Sequence, residues 1–188
     1  MVLFGQRAYL QTPLTLDQNA VVVQLTEALP GFAGSSTAIG DAMGMGITLL
    51  RDRPSESRVM ILLSDGANTF GSEPLDAVQV AMDAKIKIHT IAFGATEQTI
   101  INEAGQHLTI NPSSDLDTAT LSTIATSTGG QYFRAKNPAE LESIYRLIDD
   151  LEPAPVENLV KPEKSLFHWP LGVALACLLA ALHIRQRT

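Results

Sequence analysis

Apolar residues follow two rhythms along this chain. Val59-Met60-Ile61-Leu62-Leu63 is an unbroken apolar run ending in Ser64-Asp65-Gly66, and it predicts a parallel strand buried on both faces. Ile86 to Phe93 predicts a second strand ending at Gly94, Gln131 to Ala135 a third, and Met1 to Phe4 the stub of another. Between them the period is helical. Ile39, Ala42, Met43, Gly46, Ile47 and Leu50 recur on one helical face. Pro74 suits the first turn of a helix with Leu75, Val78 and Met82 inward. Leu121, Ile124, Ala125 and Thr128 mark a helix stopped by Gly129-Gly130. Asn137-Pro138-Ala139-Glu140 reads as a capping box, with Glu140 reaching back to the cap amide. The helix it opens has Leu141, Ile144, Tyr145, Ile148 and Leu151 as its inner face. Val22, Leu25 and Leu29 predict one more helix before Pro30. Strands alternating with helices of these lengths imply an α/β fold with a doubly wound, mostly parallel, Rossmann-like sheet.

The pattern changes at the C-terminus. Residues 153–165 form a proline-rich linker, and residues 166–184 (LFHWPLGVALACLLAALHI) are 19 residues without a formal charge. That length matches a single transmembrane helix, with Trp169 at one end and a basic tail, residues 185–188, beyond the other. Gly172, Ala176 and Ala180 give this span a small-residue stripe. Residues 1–152 are then the globular body.

Charge divides along the same boundary. Residues 1–165 carry −9 and the last 23 residues +2, within a total of −7. An acidic body lacks the basic patch that nucleic-acid binding requires. The single cysteine, Cys177, excludes an internal disulfide and every multi-cysteine zinc motif.

In a doubly wound fold, ligands bind beyond the C-terminal ends of the strands. Ser64-Asp65-Gly66-Ala67-Asn68-Thr69 occupies that place, and Gly34-Ser35-Ser36-Thr37 opens the helix that starts near residue 38. Hydroxyl and carboxylate oxygens there suit a hard cation such as Mg²⁺ or Mn²⁺. Taken locally, a Ser/Thr before a helix is also a cap, and Ser-Asp-Gly is also a turn.

In this order, GSSTAIGDAM at 34–43, RVMILLSDGANT at 58–69, IKIHTIAFG at 86–94 and TGGQYFRA at 128–135 resemble the von Willebrand factor A (VWA) family. The resemblance implies a metal-ion-dependent adhesion site in which Thr37 binds through its hydroxyl. It implies that Asp65 binds directly or through water. It also implies that a partner's carboxylate completes the coordination. The family's Asp-x-Ser-x-Ser motif occurs nowhere in this chain, so the expected site is incomplete. Met1 to Gly5 matches the tail of a family strand, which implies that residues 1–152 are a partial, N-terminally truncated domain missing its first strands. The strand at 59–63 is then expected to have one edge without a neighbour.

VLFGQRAYLQTPLTLD at 2–17, the stretch from Asn111 to Tyr145 and FHWPLGVAL at 167–175 resemble the bacterial Bat (aerotolerance-type) membrane branch of the family. That branch implies a bacterial inner-membrane location, a periplasmic body, other Bat-like membrane proteins as partners, and a MoxR-type AAA+ ATPase. A protein-interaction module is therefore the expected function, and no enzyme activity is expected. Two alternatives are a metal-independent membrane assembly surface and a metal-dependent hydrolase. The hydrolase draws little from the sequence, which has no phosphate loop and no Gly-x-Ser-x-Gly elbow. The stretch at 95–115, with Asn102, Asn111 and Asp115, reads as a long loop that could join a partner surface.

Overall fold

The computed structural model describes residues 1–29, 31–94, 98–101, 107–110 and 116–153, with backbone alone for 98–101 and 107–110. These residues belong to one unit, Met1–Ala154. The linker beyond 153, the 166–184 span with its stripe and Cys177, and the basic tail lie outside the described residues. Among the described residues, no helix is long and apolar enough to cross a membrane.

Three parallel strands form the main sheet in the order β3-β4-β7: β3 (Val59–Ser64), β4 (Lys87–Phe93) and β7 (Tyr132–Ala135). A separate antiparallel hairpin pairs β1 (Val2–Phe4) with β2 (Ala8–Leu10). A second hairpin pairs β5 (Gln98–Ile101) with β6 (His107–Ile110), so the predicted loop at 95–115 contains a two-stranded ribbon. Asn102, Asn111 and Asp115 lie outside the described residues.

Helices cover both faces of the main sheet, as the doubly wound expectation requires. On one face α2 (Ile39–Leu50), α3 (Pro74–Asp83) and α4 (Thr118–Ser127) enclose a core of Ile39, Met43, Ile47, Leu62, Ile88, Leu121 and Ile124. On the other, α5 (Pro138–Leu151) packs Ile148, Leu141 and Ile144 against Ile91, Phe93, Phe133 and Ala135. The remaining helix, α1 (Gln18–Thr26), has no buried residue. Val22 and Leu25, which predicted it, are both exposed, as is Leu29 beyond its end.

The sheet is not symmetric in burial. β4 is buried on both faces because it has a neighbour on each side and helices above and below. β3 pairs through all six residues with β4, and among the described residues its other edge has no partner. Its burial alternates: Leu62 is 4 % exposed and Ser64 is buried, whereas Ile61 and Leu63 are 40 % and 37 % exposed. The expectation of a strand buried on both faces is therefore corrected. The run is apolar enough for a central strand, but among the described residues α5 covers that face over β4 and β7 and does not reach β3, and one edge of β3 has no neighbouring strand. α2 packs against β1, β2 and β3, so hairpin and main sheet lie against one helix without hydrogen bonds joining them.

Three local readings also change. The buried stripe of α3 is Pro74, Val78 and Ala81, while Leu75 and Met82 are exposed. The small Ala81, fully buried, sets the close face against α2 and α4, so side-chain size misidentified it. On α5, Tyr145 and Leu151 are exposed and Ile148 is the fully buried position. The Asn137 side chain caps Glu140 N at 3.0 Å, but the Glu140 carboxylate returns to Lys136 N (2.8 Å), one residue before the cap.

Asp117 caps α4 by accepting from Thr120 N (2.9 Å) and from the Thr120 hydroxyl (2.6 Å), and these bonds hold its carboxyl below the ordinary aspartate range. Asp117→Ala is expected to cost about 1 kcal/mol at neutral pH. A depressed carboxyl contributes stability above its unfolded pKa and loses it as pH falls through its folded pKa. The gap between wild type and Asp117→Ala in thermal melts should thus narrow in strong acid.

Candidate metal-binding edge

Parallel strands place their C-terminal ends at one edge of the sheet, with Ser64 level with Ala92 and Phe93 level with Ala135. The chain leaving β3 at Ser64 carries Asp65, which is exposed. The Ser64 hydroxyl turns back to the Gly66 carbonyl (3.1 Å) and fixes the tight turn that holds Asp65 at the edge.

Thr37 comes from a distant segment and is fastened to the same loop. Its amide donates to the Thr69 hydroxyl (2.9 Å), and its carbonyl accepts from Thr69 N (2.9 Å) and Phe70 N (3.2 Å). The Thr37 hydroxyl lies 3.8 Å from where a Cβ on Gly66 would stand, so it faces the turn that bears Asp65. Both predicted site residues are thus brought to one edge.

The helix cap that Ser35, Ser36 and Thr37 suggested is supplied from elsewhere. The N-cap residue of α2 is Ala38, and Ile39 N donates to the Asn68 side-chain oxygen at 2.8 Å. Asn68 also donates to the Ser72 carbonyl (3.3 Å). Asp41, in the first turn of α2, accepts from Ser72 N at 3.0 Å. Hydrogen bonds from the Ser72 hydroxyl and amide hold the Asp41 carboxyl below its ordinary range. Gly71, at φ +75°, closes the clasp, with Asp41 Oδ2 only 2.6 Å from where a Cβ would be. Asn68, Thr69 and Asp41 therefore position the site without belonging to its expected donor set. The sequence offered one signal for them: Ala38 cannot cap, so another oxygen had to.

Chemically, the edge presents a hydroxyl and a carboxylate, both hard donors and both accessible. These suit Mg²⁺ or Mn²⁺, which retain several waters and need few protein ligands. Two donors fall short of a protein cage, and among the described residues no three His, Cys, Asp or Glu side chains cluster as one.

The family model of the von Willebrand factor type A domain matches residues 1–147. This chain belongs to that family. A UPF0353 protein of Mycolicibacterium paratuberculosis is 30% identical over 164 residues, covering 80% of this chain and 47% of its own length. The VWA chain thus spans about half the length of that curated relative. Among solved structures, the conserved hypothetical protein BatB of Bacteroides thetaiotaomicron aligns with TM-score 0.62 at 20% identity, covering 80% of this chain and 77% of that one. An aerotolerance-related membrane protein of Bacteroides fragilis aligns with TM-score 0.60 at 22% identity, covering 80% and 78%. Proximal thread matrix protein 1 of the mussel byssus, solved with zinc in its metal-ion-dependent adhesion site, aligns with TM-score 0.59 at 18% identity, covering 80% and 35%. At these identities the three structures speak to the VWA fold.

Proposed function

We propose that this VWA chain is a membrane-tethered, metal-dependent protein-binding module. Its Mg²⁺ or Mn²⁺ site would use Thr37 and Asp65 and be completed by an Asp-x-Ser-x-Ser strand seated beside β3. The observation that carries the reading is the fastening of the Thr37 segment to the loop after β3, which brings hydroxyl and carboxylate together at the strand ends. The β3 edge that has no partner among the described residues, with hairpin and main sheet against the same α2, supports an additional strand there. The zinc-bound mussel protein supports a divalent ion at this place in the fold.

Thr37 would bind through its hydroxyl and Asp65 directly or through water, leaving a position for a partner's carboxylate. The site then works by coordination and needs no turnover, so binding is favoured over hydrolysis. Family resemblance supports residues 166–184 as the membrane anchor, a periplasmic body, and Bat-like proteins with a MoxR-type ATPase as partners.

Isothermal titration of Mn²⁺, with an Asp-x-Ser-x-Ser strand peptide supplied in trans, tests the site. The wild-type chain is expected to bind the ion and gain thermal stability from it, and Asp65→Ala to lose both. Equal metal affinity in the two removes Asp65 from the site. A melting temperature indifferent to Mg²⁺ and Mn²⁺, with the strand present, favours the metal-independent assembly surface.

A further inference from the structure

Toward the N-terminal ends of the strands, away from the Asp65 edge, lies a second polar cluster. His89 on β4 is 2 % exposed, and both ring nitrogens are engaged. Nδ1 faces the Gln131 amide at 3.1 Å, and a backbone N–H can only donate, so Nδ1 must accept. The ring proton therefore sits on Nε2, which donates to Glu152 Oε1 at 3.1 Å. The same oxygen accepts from Lys87 Nζ at 2.5 Å. Burial pushes the Glu152 carboxyl up, but hydrogen bonds from Lys87 and His89, with the charge of Lys87, outweigh it and hold the group below the ordinary glutamate range.

Place gives this cluster meaning. Lys87 and His89 open β4, Gln131 immediately precedes β7, and Glu152 is the C-cap of α5. One buried imidazole thus ties together a strand, a turn and the end of the last described helix. Glu152 is also where the chain leaves α5 for Pro153 and the linker.

We propose that His89, Glu152 and Lys87 form an acid-sensitive latch that fixes the end of α5, and with it the exit of the chain toward its C-terminal segment. Neutral His89 satisfies both neighbours. A second proton on Nδ1 sets N–H against N–H at Gln131, so the cation keeps Glu152 and breaks the bond to the turn before β7. Further acidification removes the Glu152 charge, and both side-chain ties from the end of α5 to β4 weaken from charge-assisted bonds to bonds with a neutral carboxyl. Among the described residues, the groups facing His89 are few. Lys87 comes from β4, Glu152 from α5, and Phe133 from β7 with its ring 6.2 Å away. The β3 residue in register with His89 is Ile61, and Asp149 and Asp150 at the end of α5 are exposed.

The test is nitrogen-15 NMR and amide hydrogen exchange on the full 188-residue chain across the titrations of His89 and then Glu152. The Nε2–H form is expected at neutral pH, with exchange at Gln131 quickening about tenfold as His89 protonates and exchange through the last turn of α5 quickening only at the lower pH where Glu152 loses its charge. Glu152→Gln, which removes the carboxylate beside the imidazolium, should move the His89 midpoint to lower pH. Lys87→Met, which removes a nearby cation, should move it up and serves alone if Glu152→Gln does not fold. An Nδ1–H tautomer, a Gln131 amide whose protection ignores the His89 titration, or an α5 end whose protection ignores the titration of Glu152, overturns the latch.

Discussion

Gly130→Ala is expected to cost this fold about 3 kcal/mol or more, a large share of a domain's stability. The reason is space between backbones. A Cβ on Gly130 would collide with the Ile88 carbonyl, coming within 2.5 Å of its carbon and 3.1 Å of His89 N. Those atoms belong to the central strand, hydrogen-bonded to β3 and β7, so they cannot move aside as a side chain can. Its neighbour supplies the control. Gly129 sits at φ +77° and a Cβ added there would meet nothing within 4 Å, so Gly129→Ala meets only backbone strain, about 1–2 kcal/mol. Urea unfolding followed by circular dichroism should rank wild type, Gly129→Ala and Gly130→Ala in that order. Equal midpoints for the two variants would show that close approach at Gly130 does not limit the fold.

The second large effect separates two adjacent leucines. Leu62, packed into the core beneath α2, is expected to lose about 2–5 kcal/mol on truncation to alanine. Leu63, a third exposed, is expected to lose less than about 1 kcal/mol in the isolated chain. The same substitution becomes informative when a strand peptide is added. If β3 receives a neighbour and that face is covered, Leu63→Ala should weaken the association while Leu62→Ala acts mainly on folding. Thermal melts of both variants, with and without the peptide, measure the difference. Similar losses for both in the isolated chain would contradict the alternating burial of β3.

These pairs show what a one-dimensional reading could reach. β4, α4 and the capped start of α5 were legible because residues near in sequence define them. The run ending in Leu63 was misjudged because hydrophobicity records what a strand could bury, whereas burial depends on elements from other parts of the chain. α3 was misjudged by weighting large side chains, although fully buried Ala81 marks its inner face. At the candidate site, the meeting of the Thr37 and Asp65 segments at one edge was legible from their place before a helix and after a strand. The fastening of Thr37 by Thr69, and of α2 by Asn68 and Asp41, was not, because it rests on side-chain bonds spanning about thirty residues. The polar partners of His89 escaped for the same reason, with Glu152 63 residues away.

The long-range cap of α2 bears on the order in which this protein folds. Ile39 obtains its hydrogen-bond acceptor from a side chain 29 residues downstream, beyond the whole of β3. A helix with a local cap can gain that bond as its own residues emerge from the ribosome. The first turn of α2 must instead wait until β3 has been synthesised and the following loop has closed back over it. Closing a loop of that size carries an entropic cost before any bond rewards it, which ties the capping of α2 to the formation of non-local contacts. Asn68→Ala should therefore slow refolding as well as weaken the native state, because the bond it removes also stabilises the docking of strand and helix.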